Sequence, residues 1–418
     1  MKRLNGADAF MLGMETSKAY MHTFKVAIID PSTDPNGWSF DKFYAEAEGR
    51  LHFLPMLRWK YLDSPLGLNH PYWVEDPDFD PHYHIRRVAC PPPADHKSLC
   101  AFMSTVYSYQ LDRDRPLWME WVVEGLADGK VAIVLLVHHA YVDGVGASWL
   151  MQQFFQPEVG VIAGSAPAYH PAPLPSWLTR LGWALRDWPE VMIGGLPKVA
   201  VGLGRKFMLD RNRKAGVPPH PSSGLMRQTP INVTLSAGRT FVCDSVPLER
   251  FVSVSKALGA TINDVFACCV AGAVRRLLSD LNYNPDTHPL IGGTPFAGKR
   301  PEGMEGLGNF MTQDFCWVRS DIADPRKRLQ ASHEANVQMK EHLKEVQEAD
   351  ADISSVMQIM PPWGITILRK AIHRAGGRVG FSGNLLLSNV PGPKQALYLD
   401  HWRVANWFPP ARSLMAPH

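Results

Sequence analysis

The chain has 418 residues, more than one typical core holds and about right for two units of roughly 150–200 residues each. Hydrophobic residues make up 45%, charged residues 20%, and the net charge is +3, a globular balance that excludes a disordered chain and offers no bulk attraction to nucleic acid. The six cysteines, Cys90, Cys100, Cys243, Cys268, Cys269 and Cys316, contain no C-x-x-C pair, which predicts reduced thiols in a cytoplasmic protein rather than a disulfide framework or a structural zinc site.

The first eight residues reach polar side chains at once and lack the apolar core of a signal peptide. Residues 118–125 alternate, with Met119, Trp121 and Val123 opposite Glu120, Val122 and Glu124, which predicts a strand. Asp128-Gly129 is a hairpin turn signal, and the apolar run 131–137 reads as a strand buried on both faces, too short to span a membrane. That strand delivers His138 and His139 at its end, before a loop and a helix over 144–155. Proline, alanine and glycine then dominate 156–175, and a second proline-rich break spans 215–230. These shifts predict an N-terminal unit over 1–155, a connector with its own helices over 156–227, and a C-terminal unit over 228–418. In the last, 260–278 reads as a helix with Thr261 as N-cap and Val265, Cys269, Ala273 and Leu277 on one face. A charged amphipathic helix follows over 325–346 and a strand over 381–390. Strands and helices in both units imply an α/β (α+β) architecture.

Chemistry concentrates in His138-His139-Ala140-Tyr141-Val142-Asp143-Gly144. A neutral imidazole at a strand end is suited to take a proton from an alcohol that attacks a thioester, because its ordinary pKa lies near physiological pH. Two surface histidines and an Asp143 that only caps the following helix fit the same local pattern. A shared metal ion fits poorly, since adjacent strand residues point to opposite faces. Residues 293–299 have phosphate-loop spacing, but Arg300 stands where a magnesium-holding hydroxyl belongs. Asp76, Asp78 and Asp80 imitate half a calcium loop, with Pro81 where glycine is needed and Arg87 where the bidentate acid belongs.

The HHAYVDG segment resembles the HHxxxDG signature of coenzyme A-dependent acyltransferases. Other blocks are similar to those of the bacterial wax ester synthase/diacylglycerol acyltransferases. These are Arg115-Pro116-Leu117-Trp118, Thr261-Ile262-Asn263-Asp264-Val265, Ser388-Asn389-Val390-Pro391-Gly392-Pro393 and the opening Leu4-Asn5-Gly6-Ala7-Asp8-Ala9-Phe10. The resemblance implies two chloramphenicol-acetyltransferase-like subdomains with the active site in a channel between them. It implies transfer of a long-chain acyl group from acyl-CoA to diacylglycerol or a fatty alcohol, yielding triacylglycerol or wax ester, with no metal and no cofactor beyond that co-substrate. His139 is then the general base, His138 supports the strand end, and Asp143 holds the loop. Gly144 lets the backbone pass close to the substrates, and Asn263 and Asp264 approach His139 from the other half. Another alcohol or amine acceptor, or a catalytically weak lipid-binding homologue, is the alternative. Family members extend beyond the point matching His418, so the C-terminal unit is expected to be shorter here. Trp177, Trp183, Trp188 and neighbouring apolar and basic residues of 176–209 suit an interfacial helix. The expected location is therefore cytoplasmic, peripheral to the inner membrane or lipid droplets.

Overall fold

A computed structural model describes residues 2–408 apart from 165–166, 190–192, 194, 212–219, 222–226, 234, 299–307, 349–353, 375–382, 391 and 394. Its strands are β1 (Lys2–Arg3), β2 (His22–Asp30), β3 (Trp59–Leu62), β4 (Tyr72–Glu75), β5 (Ile85–Ala89), β6 (Trp118–Glu124), β7 (Val131–His138), β8 (Leu290–Ala297), β9 (Met311–Val318), β10 (Leu385–Leu386), β11 (Tyr398–Leu399) and β12 (Trp402–Phe408). Its helices are α1 (Gly6–Met14), α2 (Phe40–Arg50), α3 (Pro81–His84), α4 (His96–Tyr107), α5 (Gly144–Phe154), α6 (Trp177–Pro189), α7 (Gly195–Arg211), α8 (Leu248–Ala257), α9 (Ile262–Asp280), α10 (Pro325–Glu348), α11 (Ser354–Ile359) and α12 (Pro362–Arg374).

The largest sheet has the order β11-β12-β2-β7-β6-β5. Every residue of β7 is buried, as its unbroken apolar run predicts, because helices and loops cover both faces. The β6–β7 connection turns at Gly125 and Gly129, whose φ angles of 76° and 74° suit residues without a Cβ. A second sheet, β10-β8-β9, is covered by α9 and α10 and holds its own smaller core around Ala271, Leu278, Leu290, Val318 and Met339. Strands β1, β4 and β3 form a small third sheet.

Three expectations shift. Helix α9 starts where Thr261 caps it, with a reciprocal bond between Thr261 and Asp264. Its buried stripe is Val265, Cys268, Ala271 and Leu278, whereas Cys269 and Leu277 are exposed. Apolar residues occupy both faces of this segment, so the docking of α10 sets the phase. The strand expected over 381–390 is reduced to β10, parallel to β8 through Leu385↔Gly292; residues 381–382 lie outside the described residues.

The third shift concerns the tail. β11 and β12, expected in the C-terminal unit, instead extend the N-terminal sheet: β12 pairs antiparallel with β2 from Arg403↔Asp30 to Phe408↔Val26. Fully buried Trp402 anchors it, its ring 4.6 Å from that of Trp38 and its Nε1–H donating to Gly37 O at 3.0 Å. The units are therefore laced together rather than laid end to end. Trp402→Ala should destabilise the whole chain by about 3–5 kcal/mol, read from urea unfolding followed at both units. An unchanged midpoint would mean that this strand adds nothing to the sheet.

Candidate active site

β7 ends at His138, and the next five residues fold into a knot before α5. Tyr141 N donates back to His138 O at 3.0 Å, Val142 bridges to Gly308, and Asp143 caps the helix, its Oδ1 accepting from Gly146 N at 2.9 Å. The other carboxylate oxygen of Asp143 accepts from Phe310 N at 3.1 Å, and Gly308 N donates to Tyr141 O at 2.6 Å. The HHxxxDG knot is thus sewn to the strand entering the second sheet. Gly308 has φ +77°, and a Cβ there would lie a tight 3.1 Å from Asn5 Nδ2 and 3.4 Å from Asp8 Oδ2, so both the backbone and the packing favour glycine.

The residue this seam places against His139 is Asn309. His139 Nδ1 lies 2.9 Å from Asn309 Oδ1, while Asn309 Nδ2 donates to Asp8 Oδ1 at 2.9 Å and to the carbonyl of His139. With the amide NH₂ so engaged, its oxygen faces the imidazole, which must then donate from Nδ1. In the neutral ring the lone pair is on Nε2. Asp8 also accepts from Asn309 N at 2.8 Å. Burial pushes the Asp8 carboxyl up to about 7, against the lowering pull of its Asn309 and Asn5 hydrogen bonds.

His138 faces the opposite way, as strand alternation requires. Its Nδ1 accepts from Ala140 N at 2.9 Å, and its Nε2 lies 3.6 Å from Glu15 Oε2. His22, paired with His138 across β2 and β7, brings Nε2 to 3.5 Å from Glu15 Oε1. Burial works to raise Glu15, but the two neighbouring imidazoles outweigh it and hold the carboxyl well below the usual range. Burial, opposed by Glu15, holds His138 down at about 4, so it stays neutral. Lys25, a cation inside apolar β2, is buried with Nζ 2.7 Å from Ser148 Oγ and 3.3 Å from Gly144 O. Burial brings it down to about 7, partly offset by Asp143.

The remaining expected site residues lie as follows. Gly144 opens α5, where an added Cβ would meet Val390 Cγ2 at an ordinary 3.7 Å. Asn263 is in the first turn of α9 and accepts from Asn389 Nδ2 at 3.3 Å, joining two of the sequence blocks; Pro391 lies outside the described residues. Asp264 is buried beneath α10, accepting from Asn336 Nδ2 and bonded to His333 Nδ1, each at 2.7 Å. These contacts and the capping box make it a strut between α9 and α10. Lys25 had a sequence signal, a charge in an apolar strand. Asn309 had none beyond a Gly-Asn pair that reads as a turn. A cavity of about 680 Å³ lined by Glu46, Arg58, Phe79 and Tyr169 contains none of these residues.

Residues 4–266 match the wax ester synthase/diacylglycerol acyltransferase catalytic domain, and residues 307–413 match the C-terminal domain of the same family. The chain belongs to this acyltransferase family. A Mycobacterium tuberculosis H37Rv protein that carries the name diacylglycerol O-acyltransferase is 45% identical over 98% of this chain and 86% of its own length. A second from the same strain is 32% identical over 98% of this chain and 80% of its own. Among solved structures, the wax ester synthase/diacylglycerol acyltransferase of Marinobacter aquaeolei VT8 superposes with a TM-score of 0.62 at 22% identity, covering 99% of this chain and 88% of that one. The first condensation domain of the calcium-dependent antibiotic synthetase gives 0.51 at 16% identity, covering 96% and 83%. The acyltransferase therefore has the two-domain fold shared by these enzymes.

The His138 environment sets an acid limit on stability. The imidazole titrates near 6.5 when unfolded and at about 4 when folded. Between those values the unfolded chain binds the extra proton, so stability is lost as pH falls from 6.5 towards 4. His138→Asn, whose side-chain oxygen can still accept from Ala140 N, should make the fall in Tm across that window shallower. His84, also held at about 4 by burial, contributes the same slope to both proteins. An identical acid slope in the variant would mean that His138 is already charged in the fold.

Proposed function

We propose that this acyltransferase moves a long-chain acyl group from acyl-CoA to diacylglycerol or a long-chain alcohol, with His139 as general base. The observation that carries the reading is the Asp8–Asn309–His139 network, which selects the imidazole tautomer with a basic Nε2. In the proposed reaction Nε2 takes the acceptor hydroxyl proton as the oxygen attacks the thioester carbonyl. Collapse of the tetrahedral intermediate breaks the carbon–sulfur bond, and Nε2 returns the proton to the departing coenzyme A thiolate. Nδ1–H stays bonded to Asn309 throughout, so the transient imidazolium keeps its orientation. No covalent acyl-enzyme, metal or further cofactor is part of this scheme. A starter condensation domain of rhizomide synthetase, 12% identical with a TM-score of 0.50, was solved with C8-CoA, which is compatible with an acyl-CoA donor on this fold. The names of the mycobacterial relatives favour diacylglycerol as acceptor.

With palmitoyl-CoA and diacylglycerol or hexadecanol, His139→Ala should lower thiol release and ester formation about 10²–10⁴-fold without unfolding the protein. Asn309→Ala should lower kcat more than it raises either KM, because it disturbs the base and not the substrate contacts. A folded His139→Ala protein with wild-type turnover would overturn the mechanism.

The lipid acceptor implies a membrane or droplet surface, and α6 and α7 supply a suitable face. Among the described residues no single helix is long and apolar enough to cross a bilayer. Trp177 and Trp188 are nevertheless 48% and 46% exposed, Leu178, Leu185, Ile193 and Phe207 are more exposed still, and α7 also carries exposed Lys198 and Arg205. Trp183 differs: its ring packs edge-on against Tyr72 at 5.4 Å and belongs to the fold. Val191 and Met192 lie outside the described residues. Exposed tryptophans beside lysine and arginine match the chemistry of an anionic headgroup layer. Trp177→Ser with Trp188→Ser should cut co-sedimentation with anionic liposomes while Tm stays unchanged; undiminished binding would place the lipid contact elsewhere.

A further inference from the structure

Helix α4 presents His96, Cys100 and Ser104 at four-residue intervals, continued by its C-cap Ser108, so the four side chains form one stripe. Residues 239–243, leading towards α8, run along this stripe in the opposite direction. Arg239 N donates to Ser108 Oγ at 2.7 Å and Phe241 N to Ser104 Oγ at 2.9 Å. The next inward-facing residue is Cys243, whose Sγ lies 3.8 Å from Cys100 Sγ. His96 Nε2 closes a near-equilateral triangle, 3.7 Å from Cys100 Sγ and 3.9 Å from Cys243 Sγ.

Those separations come close to the edges of a zinc coordination shell. Zinc–sulfur bonds of about 2.3 Å and zinc–nitrogen bonds of about 2.0–2.1 Å, set at the tetrahedral angle, put two sulfurs about 3.8 Å apart and sulfur and nitrogen about 3.6 Å apart. We propose that His96, Cys100 and Cys243 bind a zinc ion that staples residues 239–243 to α4, with water in the fourth position. Two thiolates and an imidazole are the soft donor set that selects zinc over magnesium or calcium. Cys100 is buried and supplies the fixed side of the site, while exposed His96 and half-buried Cys243 leave an opening for the ion and its water. Uptake releases the two thiol protons to solvent. His96 Nε2, which donates to Cys243 O at 2.7 Å, gives up that bond as its proton moves to Nδ1. The stapled segment matters to the fold because Phe241 is buried against Phe24, ring centroids 4.8 Å apart, on the strand next to β7.

The test uses the full chain, untagged and reduced, titrated with cobalt(II) as an optical substitute for zinc. Wild type should take up about one equivalent with thiolate-to-cobalt charge-transfer and intense tetrahedral d–d bands. Cys100→Ser and Cys243→Ser should each lose both bands, whereas Cys269→Ser, an exposed thiol outside the cluster, should retain them. The histidine–aspartate cluster of His220, Asp314 and His342 contains no sulfur, so metal bound there gives no charge-transfer band. If a serine variant fails to fold, wild type decides alone: zinc should slow alkylation of Cys100 and Cys243 but not of Cys269, and a chelator should reverse the protection. The proposal falls if wild type shows no charge-transfer band, if Cys100→Ser keeps it, or if zinc leaves alkylation of both cysteines unchanged. It falls equally if the reduced protein, once reductant is removed, takes up no metal and loses two thiols to a Cys100–Cys243 disulfide.

Discussion

The organisation of the site depends on one short seam, where residues 308–310 lie against the knot between β7 and α5. Asp143 accepts one N–H from its own helix and one from Phe310, while Tyr141 O accepts from Gly308. Phe310 and Gly308 come from the other half of the chain, so the first half alone leaves these acceptors short of partners. Leaving a buried donor or acceptor without its partner costs more than a typical hydrogen bond contributes, which makes the seam an all-or-none register device. With the register set, Asn309 can stand only where it does, between Asp8 and His139. Asp143 is thus linked to the segment that carries Asn309 to His139, accepting from the backbone N–H groups of Gly146 and Phe310.

The adjacent histidines illustrate how strand alternation separates two identical side chains. His138 turns into a closed pocket with Glu15 and His22, where burial keeps it neutral and its Nδ1 is committed to Ala140. His139 turns towards the second unit and takes its orientation from an amide. A neutral amide acceptor fixes the ring without itself adding a full negative charge beside it. Nearby, Asp8 and Lys25 are both drawn towards 7 by burial, from opposite directions, so the shell around the knot carries less charge than its composition implies.

The connections between the units follow the same logic of shared elements. The tail strand anchored by Trp402 completes the first sheet, and residues 239–243 lie along α4. Each crossing removes freedom between the halves that meet at His139. Against this laced interior, α6 and α7 stand out because many of their apolar side chains, though not Trp183 or Ala184, are exposed. The proposed lipid acceptor would give such a face a use that a buried connector could not provide.

Much of this was legible in the chain itself. The buried strand 131–137, the cap at Thr261 and the HHxxxDG block with its companions follow from local pattern, because apolar runs, caps and catalytic signatures are short-range features. The family, the mixed α/β fold and the place of His139 at a strand end follow from them. Tertiary structure alone decided the rest. The phase of α9 was open because both its faces are apolar, and only the docking of α10 buried one of them. β12 joins β2 across more than 370 residues, a pairing that no local signal encodes. Asn309 reaches His139 from 170 residues away, and Cys243 reaches Cys100 from 143. A cysteine count that looks for neighbours in sequence cannot see that triangle, because its edges are drawn by the packing of an extended segment on a helix.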